Sequence, residues 1–170
     1  MSRLRPATDS DVEMIRRWRN HPRVRRASIF TAEITPDGHR EWWSRATTDP
    51  GSQVLIFEDD APRGVVTFKD HDPVLRSAEW GFFLDVAGMP PQQLLRNWIR
   101  LEREAIRYAF ADLRLDVLGG RTLAWNTGVL ALHRKCGFVE VPARRYTVDI
   151  DGEPQEVVWM ELSRQRPAGR

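Results

Sequence analysis

Few side chains in this sequence could move protons. Glu79 opens the run Glu79-Trp80-Gly81-Phe82-Phe83-Leu84, whose aromatic neighbours would desolvate a carboxylate and raise its pKa. That is the direction a general base needs, although a plain structural carboxylate paired with an arginine fits the same position. His133 lies in the segment Asn126-Thr127-Gly128-Val129-Leu130-Ala131-Leu132-His133-Arg134-Lys135-Cys136-Gly137-Phe138. Its imidazole can donate a proton, or it can be a core histidine satisfied by a backbone carbonyl. Cys136 is the single cysteine, has no base beside it in sequence, and reads as an inert small core residue. His21, His39, His71 and His133 show no metal-ligand spacing, so no metal is expected, and no serine or cysteine triad is supported. Trp18-Arg19-Asn20-His21-Pro22, with Arg25 close behind, joins an aromatic ring to guanidinium forks that suit a base and a diphosphate or a sugar face.

These residues need elements to position them. Leu4 to Ala7 reads as a strand, and Thr8 or Asp9 then caps a helix with Val12, Ile15 and Trp18 on one face. Asn20-His21-Pro22 ends it. Thr35-Pro36-Asp37-Gly38 starts a second helix, with a cap followed by proline at the first helical position. Residues 53–57 and 64–69 predict two strands joined by a turn, and 76–84 a third whose run from Glu79 is expected to be buried on both faces. Leu94, Trp98, Leu101, Ala105 and Ala109 define the dry side of a long helix, with Arg96, Arg100, Arg103 and Arg107 on the wet side. A strand over 115–124 leads into a short helix, capped by Asn126 or Thr127 and closed by Gly137. Residues 138–150 and 155–162 are expected to form a closing hairpin around Asp151-Gly152. The fold class is therefore α/β, a mixed sheet flanked by helices on both faces.

Composition narrows the setting. The 170 residues read as one domain over 1–163, with a disordered basic tail at 164–170. A net charge of +2 gives no case for nucleic acid. No apolar run approaches ~20 residues, which argues against a membrane span. The lone cysteine and the absence of an apolar signal core near Met1 point to the cytoplasm.

The segment from Asn126 to Phe138 resembles the last conserved segment of the GCN5-related N-acyltransferases (the GNAT superfamily), and the order of elements matches that fold over about 160 residues. The resemblance implies a mostly antiparallel sheet with one splayed strand pair, between residues 79–84 and 115–124. Acyl-pantetheine would lie in that gap against main-chain atoms of Phe82, Phe83 and Leu84. It further implies direct attack of a primary amine on acetyl-CoA or another acyl-CoA, with Glu79 as base and His133 as acid near the sulfur. Asn126 would touch the coenzyme or simply cap its helix.

The family's Gly-rich pyrophosphate loop is replaced here by Asp85-Val86-Ala87-Gly88-Met89-Pro90-Pro91-Gln92-Gln93. Proline has no N–H to offer a phosphate, so Gly88, Gln92, Gln93 and the helix dipole are the candidates left. A carrier-linked pantetheine donor, or a lost coenzyme site, are the other readings of this loop. Trp18-Arg19-Asn20-His21-Pro22 with Arg25 is similar to the opening of the branch that acetylates ribosomal-protein N-termini and nucleotide-linked amino sugars. Trp18, Arg19, Asn20 and Arg25 are thereby implied to bind the acceptor, with core packing the alternative for Trp18. The expected acceptor is a small amine, an amino sugar above all, that could be nucleotide-linked. A protein N-terminus and a binding module without turnover are the alternatives. Pairing of two copies through terminal strands is a further expectation of the resemblance.

Overall fold

Leu55, Ile56 and Phe57 are buried in succession, so one strand packs helices on both of its faces. The computed structural model describes residues 1–164. The elements are β1 (Arg3–Pro6), α1 (Val12–Arg19), α2 (Pro22–Arg26), α3 (Pro36–Thr48), β2 (Gln53–Asp59), β3 (Ala61–Asp72), β4 (Ser77–Leu84), α4 (Pro91–Ala111), β5 (Val117–Leu123), α5 (Thr127–Lys135), β6 (Val139–Glu140), β7 (Tyr146–Ile150) and β8 (Glu153–Ser163). The sheet runs β1-β2-β3-β4-β5-β8-β6, with β7 also on β8. Every pairing is antiparallel except β4 with β5.

On one face, α4 and α5 cover Leu55, Phe57, Val66, Phe68, Trp80 and Met160. On the other, Ile15 of α1 packs on Ile56 and Val65, with Trp18, Trp42 and Phe83 around them. The mixed sheet with helices on both faces is thus the fold observed. Thr8 and Asp11 form a capping box before α1, and Thr35 Oγ1 accepts from the Gly38 amide to start α3.

Four local expectations are corrected. α2 follows directly on Pro22, which starts a new helix at its first position rather than a loop. The stretch 138–150 is broken, because Pro142 opens a 3-10 turn over 142–144 between β6 and β7. Glu79, Gly81, Phe82 and Phe83 are only partly buried, so the β4 run is not dry on both faces. Arg164, placed in the tail from sequence, is tied down: its amide donates to Asp116 O at 2.8 Å and its Nε to Leu115 O at 2.9 Å. The rest of the expected tail, 165–170, lies outside the described residues. No helix among the described residues is long and apolar enough to cross a membrane.

Candidate active site

The parallel pair β4–β5 is in register only at Ser77↔Val117, Ala78↔Leu118 and Glu79↔Gly119. Beyond Glu79 the two strands part, while β4 continues to pair with β3 as far as Gly64↔Leu84. Along Trp80 to Phe83 the edge of β4 facing β5 therefore has no strand partner, while the Leu84 carbonyl accepts from the Val86 amide at 2.9 Å. Unpaired backbone groups need partners, so the split is a slot for an extended amide-bearing ligand. Phe82, Phe83 and Leu84 border it, with Phe82 packing toward α4 and α5 and Phe83 toward α1.

Two glycines on β5 make room beside this split. A Cβ on Gly119 would lie 2.3 Å from the Trp159 ring, and one on Gly120 would lie 3.0 Å from Trp80. Each indole crosses β5 where no side chain stands in its way. Trp159 then floors a cleft of about 500 Å³ lined by Lys69, Asp70, Glu79, Arg121, Arg144 and Tyr146. The Arg144 guanidinium lies 3.5 Å above the Trp159 ring centroid and 3.2 Å from Glu161.

Glu79 sits at the last paired rung, on the cleft side of the sheet. Arg121 Nε donates to its Oε1 at 2.6 Å, and Lys69 Nζ is 3.4 Å from the same oxygen. The desolvated carboxylate expected from its aromatic neighbours is corrected here. Strand alternation turns Trp80 and Phe82 to the opposite face, so Glu79 meets two cations instead of rings.

His133 lies on that opposite face. It is 5% exposed, and its Nδ1 is 2.8 Å from Oε1 of Glu102, which is 0% exposed. Trp80, Phe82 and Phe138 surround the imidazole. Its partner is a carboxylate rather than the backbone carbonyl weighed from sequence. Sequence reading passed over Glu102, although a signal existed: a charge stands on the dry stripe of α4 with Leu101, Ala105 and Ala109. Cys136 is unreactive by its surroundings, because burial and the Glu102 carboxylate push its thiol up to about 11.

The loop between β4 and α4 departs from the expected phosphate cradle. The Gly88 amide donates to Asp85 Oδ1 at 3.0 Å, so it is already used and an acidic group stands beside it. Gly88 is therefore corrected as an anion donor. Pro90 and Pro91 lack N–H, and the Leu94 amide closes on Pro90 O at 2.9 Å, which leaves the amides of Gln92 and Gln93 as the open first turn of α4. A second cleft, about 490 Å³, runs beside this loop and is lined by Met14, Arg17, Trp18, His21 and residues 85–88. Asn126 precedes α5 without a side-chain cap bond, so the capping expected of it is not made, and its amide group is left for other partners.

Of the residues implied for the acceptor, Trp18 lines the second cleft and also packs in the core. Asn20 is spent on structure: its side chain accepts from the Ile34 amide at 2.7 Å and donates to Ile34 O at 2.8 Å. Arg19 donates to Phe30 O at 2.9 Å and Arg25 to Thr31 O at 2.7 Å. Burial, then the charge of Arg25, pushes the Arg19 guanidinium below its ordinary range. These three side chains fold the loop over 27–35, which Thr31 Oγ1 fastens to Asp151 in the β7–β8 turn at 2.8 Å. They shape the acceptor side without lining either cleft. Lys69, Arg121, Arg144, Tyr146 and Trp159 form the one that sequence reading missed, because they come from strands far apart in the chain.

A family model described as an acetyltransferase (GNAT) domain matches residues 2–139. No curated protein matches the sequence. Among solved structures, the spermidine N-acetyltransferase from Vibrio cholerae, in complex with CoA and spermine, has a TM-score of 0.82 at 22% identity over 95% of each chain. A structure of the spermidine/spermine N-acetyltransferase from the same organism, in complex with manganese ions, has a TM-score of 0.74 at 21% identity, covering 95% of this chain and 92% of that one. At such identities the likeness is one of fold.

Proposed function

This chain belongs to the GNAT acetyltransferase family, and on that premise we propose that it moves an acetyl group from acetyl-CoA to the primary amine of a small acceptor that also carries an anionic group, such as a nucleotide-linked amino sugar. The observation that carries the choice of acceptor is the cleft beside Glu79. Lys69, Arg121 and Arg144 line it with two aromatic rings, against Asp70 and Glu79 as its acids and with Glu161 paired to Arg144 beneath them. A polyamine, the substrate class in the names of the similar structures, would meet three cations there. A phosphate or carboxylate would meet guanidinium forks.

Acetyl-pantetheine lies along the unpaired edge of β4, where the amides of the strand hold its carbonyl groups. The amine enters from the cleft and is drawn to Glu79, which orients it and passes its proton to water. With Arg121 and Lys69 as partners, Glu79 serves as an anchor for the ammonium more than as a desolvated base. Attack forms the C–N bond and breaks the C–S bond directly, and His133 protonates the departing thiolate. Both reactants are bound side by side, so no covalent enzyme intermediate is needed. Gln92, Gln93 and the α4 dipole attract the diphosphate, and Asn126 contacts the pantetheine arm. Trp18, Arg19 and Arg25 act on the acceptor through the loop they pack. The reaction belongs to the cytoplasm, and two copies pair through their terminal strands.

Release of CoA, measured with a panel of amines, tests this reading. An amine bearing a phosphate or carboxylate should exceed spermidine in kcat/KM by ~10-fold or more, the scale of one charge-assisted pair. A preference for spermidine would overturn the acceptor assignment and leave acetyl transfer standing. A protein N-terminus as acceptor calls for an acidic groove, which this cleft is not. The binding module without turnover draws on Pro90 and Pro91, and an absence of CoA release with every amine would favour it.

A further inference from the structure

We infer that Glu102 is a positioning residue for His133: the buried carboxylate holds the Nδ1 side of the imidazole and keeps its Nε2–H as the proton donor toward the β4–β5 split. The inference rests on the acetyl-transfer reading given above.

Glu102 lies in the middle of α4 with no exposed surface, among Leu101, Ala105 and Ala109. Oε1 takes the His133 Nδ1–H at 2.8 Å, and Oε2 is buried with no hydrogen-bond partner among the described residues. A carboxylate buried this way is costly, and an apolar residue of similar volume usually serves packing as well or better. The one strong contact it makes is with His133. That contact fixes which imidazole nitrogen is taken, leaving Nε2 on the opposite ring edge. The ring rests against Trp80, with centroids 5.4 Å apart, and edge-on to Phe82 at 6.1 Å. Both aromatic residues belong to the stretch of β4 that has left β5. The imidazole is therefore packed against the wall of the split.

The neighbouring charges leave Glu102 as the dominant one. From the end of α5 the facing group is the Cys136 thiol, and from α4 the charge of Arg103 reaches that thiol. β4 and Phe138 present rings only. With Nδ1 held by the carboxylate, Nε2 is the ring nitrogen left to carry the proton given to sulfur.

The step balances as follows. The amine nitrogen bonds to the acetyl carbon, the C–S pair leaves on sulfur, and sulfur takes the Nε2 proton. Neutral imidazole keeps its bond to Glu102 and is reprotonated from water once CoA has left. The proton of the attacking amine departs past Glu79 to water.

The test compares E102Q, H133A and the double variant in the full chain, by kcat and KM. Glutamine keeps the shape and a hydrogen-bond acceptor for Nδ1–H but removes the charge. E102Q should lower kcat by ~10-fold or more, toward the range of general-acid losses, with the KM for acetyl-CoA within about 2-fold. On the H133A background, adding E102Q should change kcat by less than about 2-fold. An equal loss on both backgrounds would overturn the role. Should E102Q fail to fold, E102D keeps the carboxylate but withdraws it from Nδ1, and should lower kcat more on the wild-type background than on the H133A background; an equal loss there would also overturn it. Wild-type protein that releases no CoA with any amine would sink the acetyl-transfer reading and this inference with it. Turnover with uncoupled Glu102 variants would remove this inference alone.

Discussion

Arg121 sets how Glu79 can act, since a 2.6 Å ion pair aims the carboxylate at the cleft and shares its charge. If Glu79 anchors the ammonium as proposed, Glu79→Gln should lower kcat/KM for the amine by ~10-fold or more, while acetyl-CoA binding changes little. Steady-state kinetics with each substrate varied in turn separates the two effects, and an unchanged kcat/KM for the amine would remove Glu79 from the reaction. Arg144 stacks on Trp159 at the cleft floor and has the exposure to meet an anion. Arg144→Ala should raise the KM of an anion-bearing amine several-fold and leave that of spermidine unchanged or lower. Cys136 offers a check on the buried cluster itself. With its thiol pushed up to about 11, it should resist alkylation near pH 8 in the folded protein and react readily once denatured, as mass spectrometry would record. Glu79 and His133 stood out in sequence because an acid beside aromatics and an imidazole on an apolar helix face are unusual. Glu102 was passed over among the charges of α4, although helical spacing puts it with Trp98, Ala105 and Ala109 on the inward stripe.

At the scale of elements, the site depends on β4 and β5 starting together and ending apart. Gly119 and Gly120 stand at that junction, each underlying an indole. Gly119→Ala would put a methyl group 2.3 Å from Trp159 and should cost about 1–3 kcal/mol by chemical denaturation, since the ring must leave its place. It should also weaken acceptor binding, because Trp159 floors the cleft. Gly120→Ala meets Trp80 at 3.0 Å and should cost less. Elements with strong periodicity were legible beforehand: α4 from its apolar stripe, α3 from its Thr35-Pro36 start, and the β7–β8 turn from Asp151-Gly152, both at positive φ. The elements that were not legible are short. α2 has five residues and β6 two, too few for a hydrophobic period to emerge. The cleft was invisible for a different reason. Its cations come from β3, β5 and the turn over 142–144, and only sheet register brings them together.

For the molecule as a whole, an ion-pair cluster fixes the first strand to the fold. Arg5 forks onto Asp11 at 2.8 and 2.9 Å and also reaches Glu58 at 2.7 Å. The Arg5 guanidinium, with help from the Thr8 amide, holds the Asp11 carboxyl down at about 2 from an ordinary 3.8. A folded-state pKa below the unfolded one stabilises the fold above the ordinary carboxylate range and is lost as pH falls through about 2. Denaturant midpoints should therefore fall between about pH 4 and pH 2, by an amount on the order of 2 kcal/mol from this group. Asp11→Asn should flatten that part of the profile. The fold class, the splayed pair and the family were all within reach of the sequence, because element order reports topology. The loop before α4 was marked as atypical there by its two prolines, and the structure adds the Asp85–Gly88 bond.

In the proposed reaction acetyl-CoA is held by the open edge of β4 and the first turn of α4, in place of a glycine-rich loop. Calorimetric titration of the full chain with acetyl-CoA addresses it directly. Saturable binding at one site per chain, with a dissociation constant well below millimolar, is the predicted result; no detectable heat at millimolar acetyl-CoA would contradict the account.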